Sequence, residues 1–204
     1  MAGFRRTLRG VSARFTPAQA GIVRNLVGQV AELVGGPGSA SADGPDGPGG
    51  PGGPDGPGGP GEAGDGPLPA DLASILALDG PAEPPEDPVL ARLLPDAYGD
   101  DPEAAGEFRR YTEHGLRSGK VAAARTVLET LPATGGRVRL SPGDAEAWLR
   151  SLNDVRLALG VLLGITEDYD RELADVAPGD SRTAYLQVYD WLTYLQETLV
   201  RALR

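Results

Sequence analysis

Ala147-Trp148-Leu149-Arg150-Ser151-Leu152-Asn153-Asp154-Val155-Arg156-Leu157-Ala158-Leu159-Gly160 reads as a core helix. Trp148, Leu152, Val155 and Leu159, continued by Leu162, recur at alternating spacings of four and three, which makes one apolar seam. Asn153, Asp154 and Gly160 interrupt that pattern. Asn and Asp side chains compete for the backbone, and Gly adds an entropy cost, so all three disfavour a helix interior. Asn153 and Gly160 stand seven apart and share a face, where Gly160 would admit a second helix closely. Asp154 and Arg156 read either as structural pairs or as a polar face that receives a partner protein.

On either side of this stretch the chain is punctuated by helix starts. Ser141-Pro142 opens the core helix, and Gly164 ends it. An acidic loop at 167–180 leads to a last helix capped by Asp180 or Ser181. There Tyr185, Val188, Leu192, Leu195, Leu199 and Ala202 form a second seam, and two such helices pack most simply antiparallel. Tyr189-Asp190-Trp191 reads as core with a polar edge, or as an aromatic anchor for a partner.

Upstream, Asp101-Pro102 starts a long helix reaching Leu131, with Phe108, Tyr111, Leu116, Val121, Ala124, Val127 and Leu128 as its expected apolar face. Gly115 and Gly119 predict a kink or break in its middle. Asp87-Pro88 starts a short helix ended by Pro95, and residues 71–78 form a further short candidate. Thr16-Pro17 starts a helix over 17–34 with a broad apolar stripe. Residues 4–15 fit either a basic amphipathic helix or two strands turning at Arg9-Gly10. The restart at Thr16-Pro17 favours the hairpin, with 136–140 as its third strand. The fold class is therefore mostly α: a helical bundle with a small N-terminal antiparallel β-hairpin or sheet.

Residues 1–34 form part of the main domain, 35–67 a disordered Gly/Pro/Asp-rich insertion, and 68–204 the main helical domain. The insertion holds six consecutive Gly-Pro-X triplets from Gly44 to Gly61, too few for a collagen triple helix and too poor in apolar residues to offset ordering. The formal charge of -10 argues against general binding to nucleic acid or an anionic membrane. That average hides a basic start, because Arg5, Arg6, Arg9, Arg14 and Arg24 precede the first acidic residue, Glu32. Arg5, Arg6, Arg9 and Arg14 read as a solvated strand face balancing the acidic body, or as an arm making weak phosphate contacts. The first reading is the simpler. With no cysteine, disulfides and thiol chemistry are excluded, which fits a cytoplasmic protein, and no apolar run approaches membrane-spanning length.

Catalytic patterns are absent. The one histidine, His114, lacks a nucleophile or second ligand at useful spacing. The acidic pairs Asp100-Asp101 and Glu167-Asp168 lie among turn formers and read as caps or solvated loops. No phosphate loop or metal-ligand spacing occurs, so no cofactor or metal is expected.

Five stretches fall in a familiar order, two of them within the core helix: Leu93-Leu94-Pro95-Asp96-Ala97-Tyr98, Lys120-Val121-Ala122-Ala123-Ala124-Arg125, Ala147-Trp148-Leu149, residues 152–160, and residues 188–197. In these the chain resembles the actinobacterial AosR-like family of helical proteins, which includes an oxidative-stress transcriptional regulator. The resemblance covers everything but the Gly-Pro tract. It implies a regulator that pairs with a sigma factor on RNA polymerase and raises cysteine-biosynthesis genes. The characterised branch senses oxidant through an N-terminal cysteine pair, which this chain does not have. The resemblance therefore implies a partner-binding regulator without a thiol switch. A non-enzymatic adaptor or scaffold in protein turnover or sulfur metabolism is the alternative. The candidate partner contacts are Asp154, Arg156, Tyr189, Asp190 and Trp191, and the oligomeric state is left open. Deleting residues 44–61 is expected to leave the melting temperature within a few degrees, and a large fall in a thermal melt would show the tract to be structural.

Overall fold

The structure, a computed structural model, describes residues 2–36, 83–166 and 182–204. Among them stand strands β1 (Arg5–Thr7), β2 (Gly10–Phe15) and β3 (Gly136–Leu140). Five helices accompany them: α1 (Pro17–Gly35), α2 (Pro88–Leu93), α3 (Pro102–Thr130), α4 (Pro142–Leu163) and α5 (Thr183–Leu203). The expected helix at 71–78, the Gly-Pro tract and the acidic loop at 167–180 lie outside the described residues.

One device starts four of the five helices. A Thr, Asp or Ser cap precedes a proline in the first turn, where a missing N–H costs nothing. Thr16 with Gln19, and Ser141 with Asp144, close full capping boxes. Gly164, left-handed at φ 65°, ends α4. Arg182 precedes α5 and makes no side-chain cap.

Residues 4–15 form strands. The sheet order is β1-β2-β3, antiparallel throughout, with Ala13 opposite Val138 and Val11 opposite Leu140. Gly10 makes the β2–β3 approach possible: at φ +134° a Cβ there would lie 2.0 Å from the Leu140 carbonyl oxygen. The inner face carries Val11, Ala13, Phe15, Val138 and Leu140 onto the helices. Trp148 of α4 is fully buried beneath it. Its ring meets Phe4 edge-on at 5.5 Å and Phe15 at 5.7 Å. Its indole N–H donates to the Thr130 hydroxyl of α3 at 2.8 Å. Phe4, beside Trp148, donates its amide to Thr198 of α5, while Arg156 further along α4 meets residues 189–196. α4 and α5 thus run antiparallel.

Four expectations about individual stretches need correction. The hydrogen-bonded helix α3 runs unbroken through Gly115 and Gly119. An Arg109–Glu113–Arg117 ladder at four-residue spacing brackets Gly115 and supplies side-chain ties where the glycine is weak. In its first half α3 buries Ala105, Gly106 and Arg109, leaving Phe108 (44% exposed), Tyr111 and Leu116 outside. Leu162 and Tyr185, at the ends of their seams, are also exposed. Nothing would meet a Cβ at Gly160 within 4 Å, so no helix exploits its missing side chain.

Because Trp148 joins its own helix α4 to the sheet and to α3, Trp148→Ala is expected to cost about 3–5 kcal/mol in urea unfolding. A loss below about 1 kcal/mol, typical of a surface change, would show that the site collapses without it.

Candidate functional site

The polar residues of α4 take separate roles. The Asp154 carboxylate is buried, 5% exposed, and accepts from Lys120 Nζ of α3 at 2.6 Å. This pair ties α3 to α4 and faces inward, so Asp154 is not presented to a partner. Asn153 is half-buried. Arg156 crosses to α5: Nε donates to Thr193 Oγ1 at 3.0 Å and Nη1 to Gln196 Oε1 at 2.8 Å. Its guanidinium also lies 5.3 Å from the Tyr189 ring centroid. These contacts border a shallow groove of about 350 Å³ that continues past Val200 to Arg201 and Arg204. Of the remaining α5 candidates, Asp190 is exposed and Trp191 is buried in the core. The Trp191 indole nitrogen has no hydrogen-bond partner among the described residues.

The sequence-predicted basic arm is part of the sheet. Arg5 and Arg14 project from its outer face, Arg6 lies opposite inward-facing Val11 at the β1 edge, and Arg9 sits in the turn. All four are exposed. The same outer face gains Arg137 and Arg139 from β3. Arg14 lies directly opposite Arg137, and Ser12 lies between Arg5 and Arg139.

Other cations do work that residue spacing did not reveal. Arg24 of α1 donates to the Leu128 and Leu131 carbonyls at the end of α3 (2.5 and 2.8 Å). Arg117 of α3 donates to the Val34 carbonyl at the end of α1 at 2.7 Å. Each helix thus caps the other's negative end. Arg109 is buried against Asp96, Glu113 and the Leu94 carbonyl. Burial pulls its pKa down, but hydrogen bonds and charge from Asp96 and Glu113 outweigh that and raise it, so the group stays charged. Cations four residues from an acid were visible in sequence, but their carbonyl partners on other helices were not.

His114 is exposed on α3, and Asp101 is occupied in capping α3. Among the described residues no group of three His, Cys, Asp or Glu side chains could hold a metal ion. No helix there is long and apolar enough to cross a membrane.

The described residues thus form a mostly helical body with a small arginine-faced sheet. The chain belongs to the family described as Domain of unknown function (DUF2017), which matches residues 1–203. It is similar to the oxidative stress regulators AosR of Mycobacterium tuberculosis and Mycobacterium bovis, at 41% identity over 138 residues. The match takes in 61% of this chain and spans 62% of the length of those relatives. No solved structure matches the chain.

Lys120→Met would strand the Asp154 carboxylate in the interior, at a cost of about 3 kcal/mol in denaturant unfolding. Adding Asp154→Leu should recover most of it. A harmless Lys120→Met would mean that water already screens the pair.

Proposed function

We propose that this protein is a non-enzymatic, cytoplasmic regulator of the oxidative-stress response that works by protein contact with a sigma factor and RNA polymerase. The observation that carries this reading is the 41% identity to proteins named oxidative stress regulator AosR. The absence of an assembled catalytic or metal cluster among the described residues supports a binding role.

The contact surface we favour is the α4–α5 groove. Arg156 is already held by Thr193, Gln196 and the Tyr189 ring, so little side-chain entropy is lost when a partner covers it. Arg and Tyr are also the residue types that most often anchor interfaces. At the far end of the groove Arg201 is paired with Glu197 at 3.0 Å, and Arg204 adds positive charge for an acidic partner surface. Asp190, exposed one residue beyond Tyr189, belongs to the rim of the same face.

With no cysteine in the chain, a thiol cannot switch this contact. The purified protein is expected to capture RNA polymerase with a sigma factor, in nuclease-treated extract and from purified components alike. Capture should be equal before and after peroxide and should be lost in an Arg156→Ala, Arg201→Glu variant. Recovery of other proteins without polymerase or any sigma factor would sink the proposal. Reversible loss on peroxide would sink its switch-free part.

A further inference from the structure

The outer face of the sheet holds Arg5, Arg14, Arg137 and Arg139, all exposed, with Ser12 among them. None of the four has an ion-pair partner among the described residues, although the chain carries 29 acidic residues against 19 Lys and Arg. A solvated face that merely balances an acidic body would be expected to pair with it. Here Arg14 stands directly across from Arg137, and like charges directly opposite destabilise a sheet. Edge protection accounts for charge on β1 and β3, but not for Arg14, which lies on the central strand. The arrangement carries a stability cost that no contact among the described residues offsets.

We propose that this arginine face is a docking site for the phosphate backbone of duplex DNA. All four cations are arginines, whose planar fork matches phosphate oxygens two at a time and is weakly hydrated. Arg137 and Arg139 are two residues apart on one strand, about 7 Å, which is the axial advance of two phosphates on one DNA strand. A regular array of like charges suits a regular polyanion, whereas carboxylates on a protein surface are unevenly placed and mixed with cations. Ser12, in the row between Arg5 and Arg139, adds a hydroxyl of the kind that hydrogen-bonds phosphate. No base-reading pattern accompanies the face, so the contact positions the protein without selecting a sequence. The two chain segments that build the site are more than a hundred residues apart, and only the β2–β3 register joins them. The site rests on geometry independent of the polymerase reading.

The test is fluorescence anisotropy with a mixed-sequence duplex two helical turns long, titrated between about 50 and 200 mM salt. The unaltered 204-residue chain should bind with affinity that falls steeply as salt rises and is indifferent to sequence. Arg5→Ala with Arg14→Ala, and separately Arg137→Ala with Arg139→Ala, should each weaken binding and lower the salt slope by roughly one unit per arginine. Arg14→Glu should abolish binding while raising the melting temperature by a few degrees, because it converts cross-strand repulsion into attraction. A destabilised variant cannot produce that opposite pair of shifts. Absence of binding by the unaltered chain at the lower salt would overturn the proposal. So would indifference to the β3 arginines, or loss of polymerase capture in these variants with duplex binding intact, which would assign the face to an acidic protein.

Discussion

Everything in this molecule is oriented by one buried side chain, Trp148. Its ring fills the space under the sheet against Phe4 and Phe15, and its N–H reaches Thr130 on α3. The Thr130 hydroxyl in turn donates to the Thr126 carbonyl, so the indole nitrogen is satisfied without opening a path to water. A three-stranded sheet with a first strand of three residues is marginal alone. It exists because its inner face lies on this ring and on α5, which receives the Phe4 amide through Thr198. Seating the inner face on Trp148 also forces the arginines of the outer face into water.

The helices are joined by cations in a chain where cations are the minority. Arg24 and Arg117 cap each other's helices, Lys120 joins α3 to α4, and Arg156 joins α4 to α5. Each donor meets carbonyls or side chains in a half-buried place, where a charge-assisted hydrogen bond is stronger than at the open surface. This division of labour gives the exposed sheet arginines their meaning. Arg24, Arg109, Arg117 and Arg156 are drawn into joints, whereas the sheet arginines have no acidic partner among the described residues.

Caps, seams and strands could be read from local sequence because they depend on neighbours a few residues away. Thr16, Asp87, Asp101 and Ser141 are all caps, each followed at once by proline, and the strand at 136–140 pairs where the hairpin needed a third member. Tertiary choices were less legible. In α3 the spacing of Phe108, Tyr111 and Leu116 resembled a core face, but burying Arg109 with Asp96 and Glu113 turned that half of the helix the other way. Gly160 had the look of a close crossing, yet its surroundings are open. Asp154 looked available until Lys120 was brought beside it from another helix. Half of the arginine face was noted as a basic N-terminus. The other half was hidden in an alternating strand whose register with β2 no local pattern specifies.

The similarity to AosR and the lack of cysteine pull on different parts of the molecule. The family match spans the helices, whose joints are cationic and do not depend on redox state, since guanidinium and ammonium groups keep their charge whether or not oxidant is present. A regulator built on such joints can keep its docking faces in place without a thiol. In such a protein the binding faces need no switch to stay in place. In this chain two surfaces satisfy that description: the α4–α5 groove, fixed by Arg156, and the sheet, fixed by Trp148. They are carried by the same helix, because Trp148 and Arg156 lie two turns apart on α4. A single rigid element thus sets the distance between the proposed protein contact and the proposed DNA contact, which is the geometric requirement for holding a polymerase partner against its template.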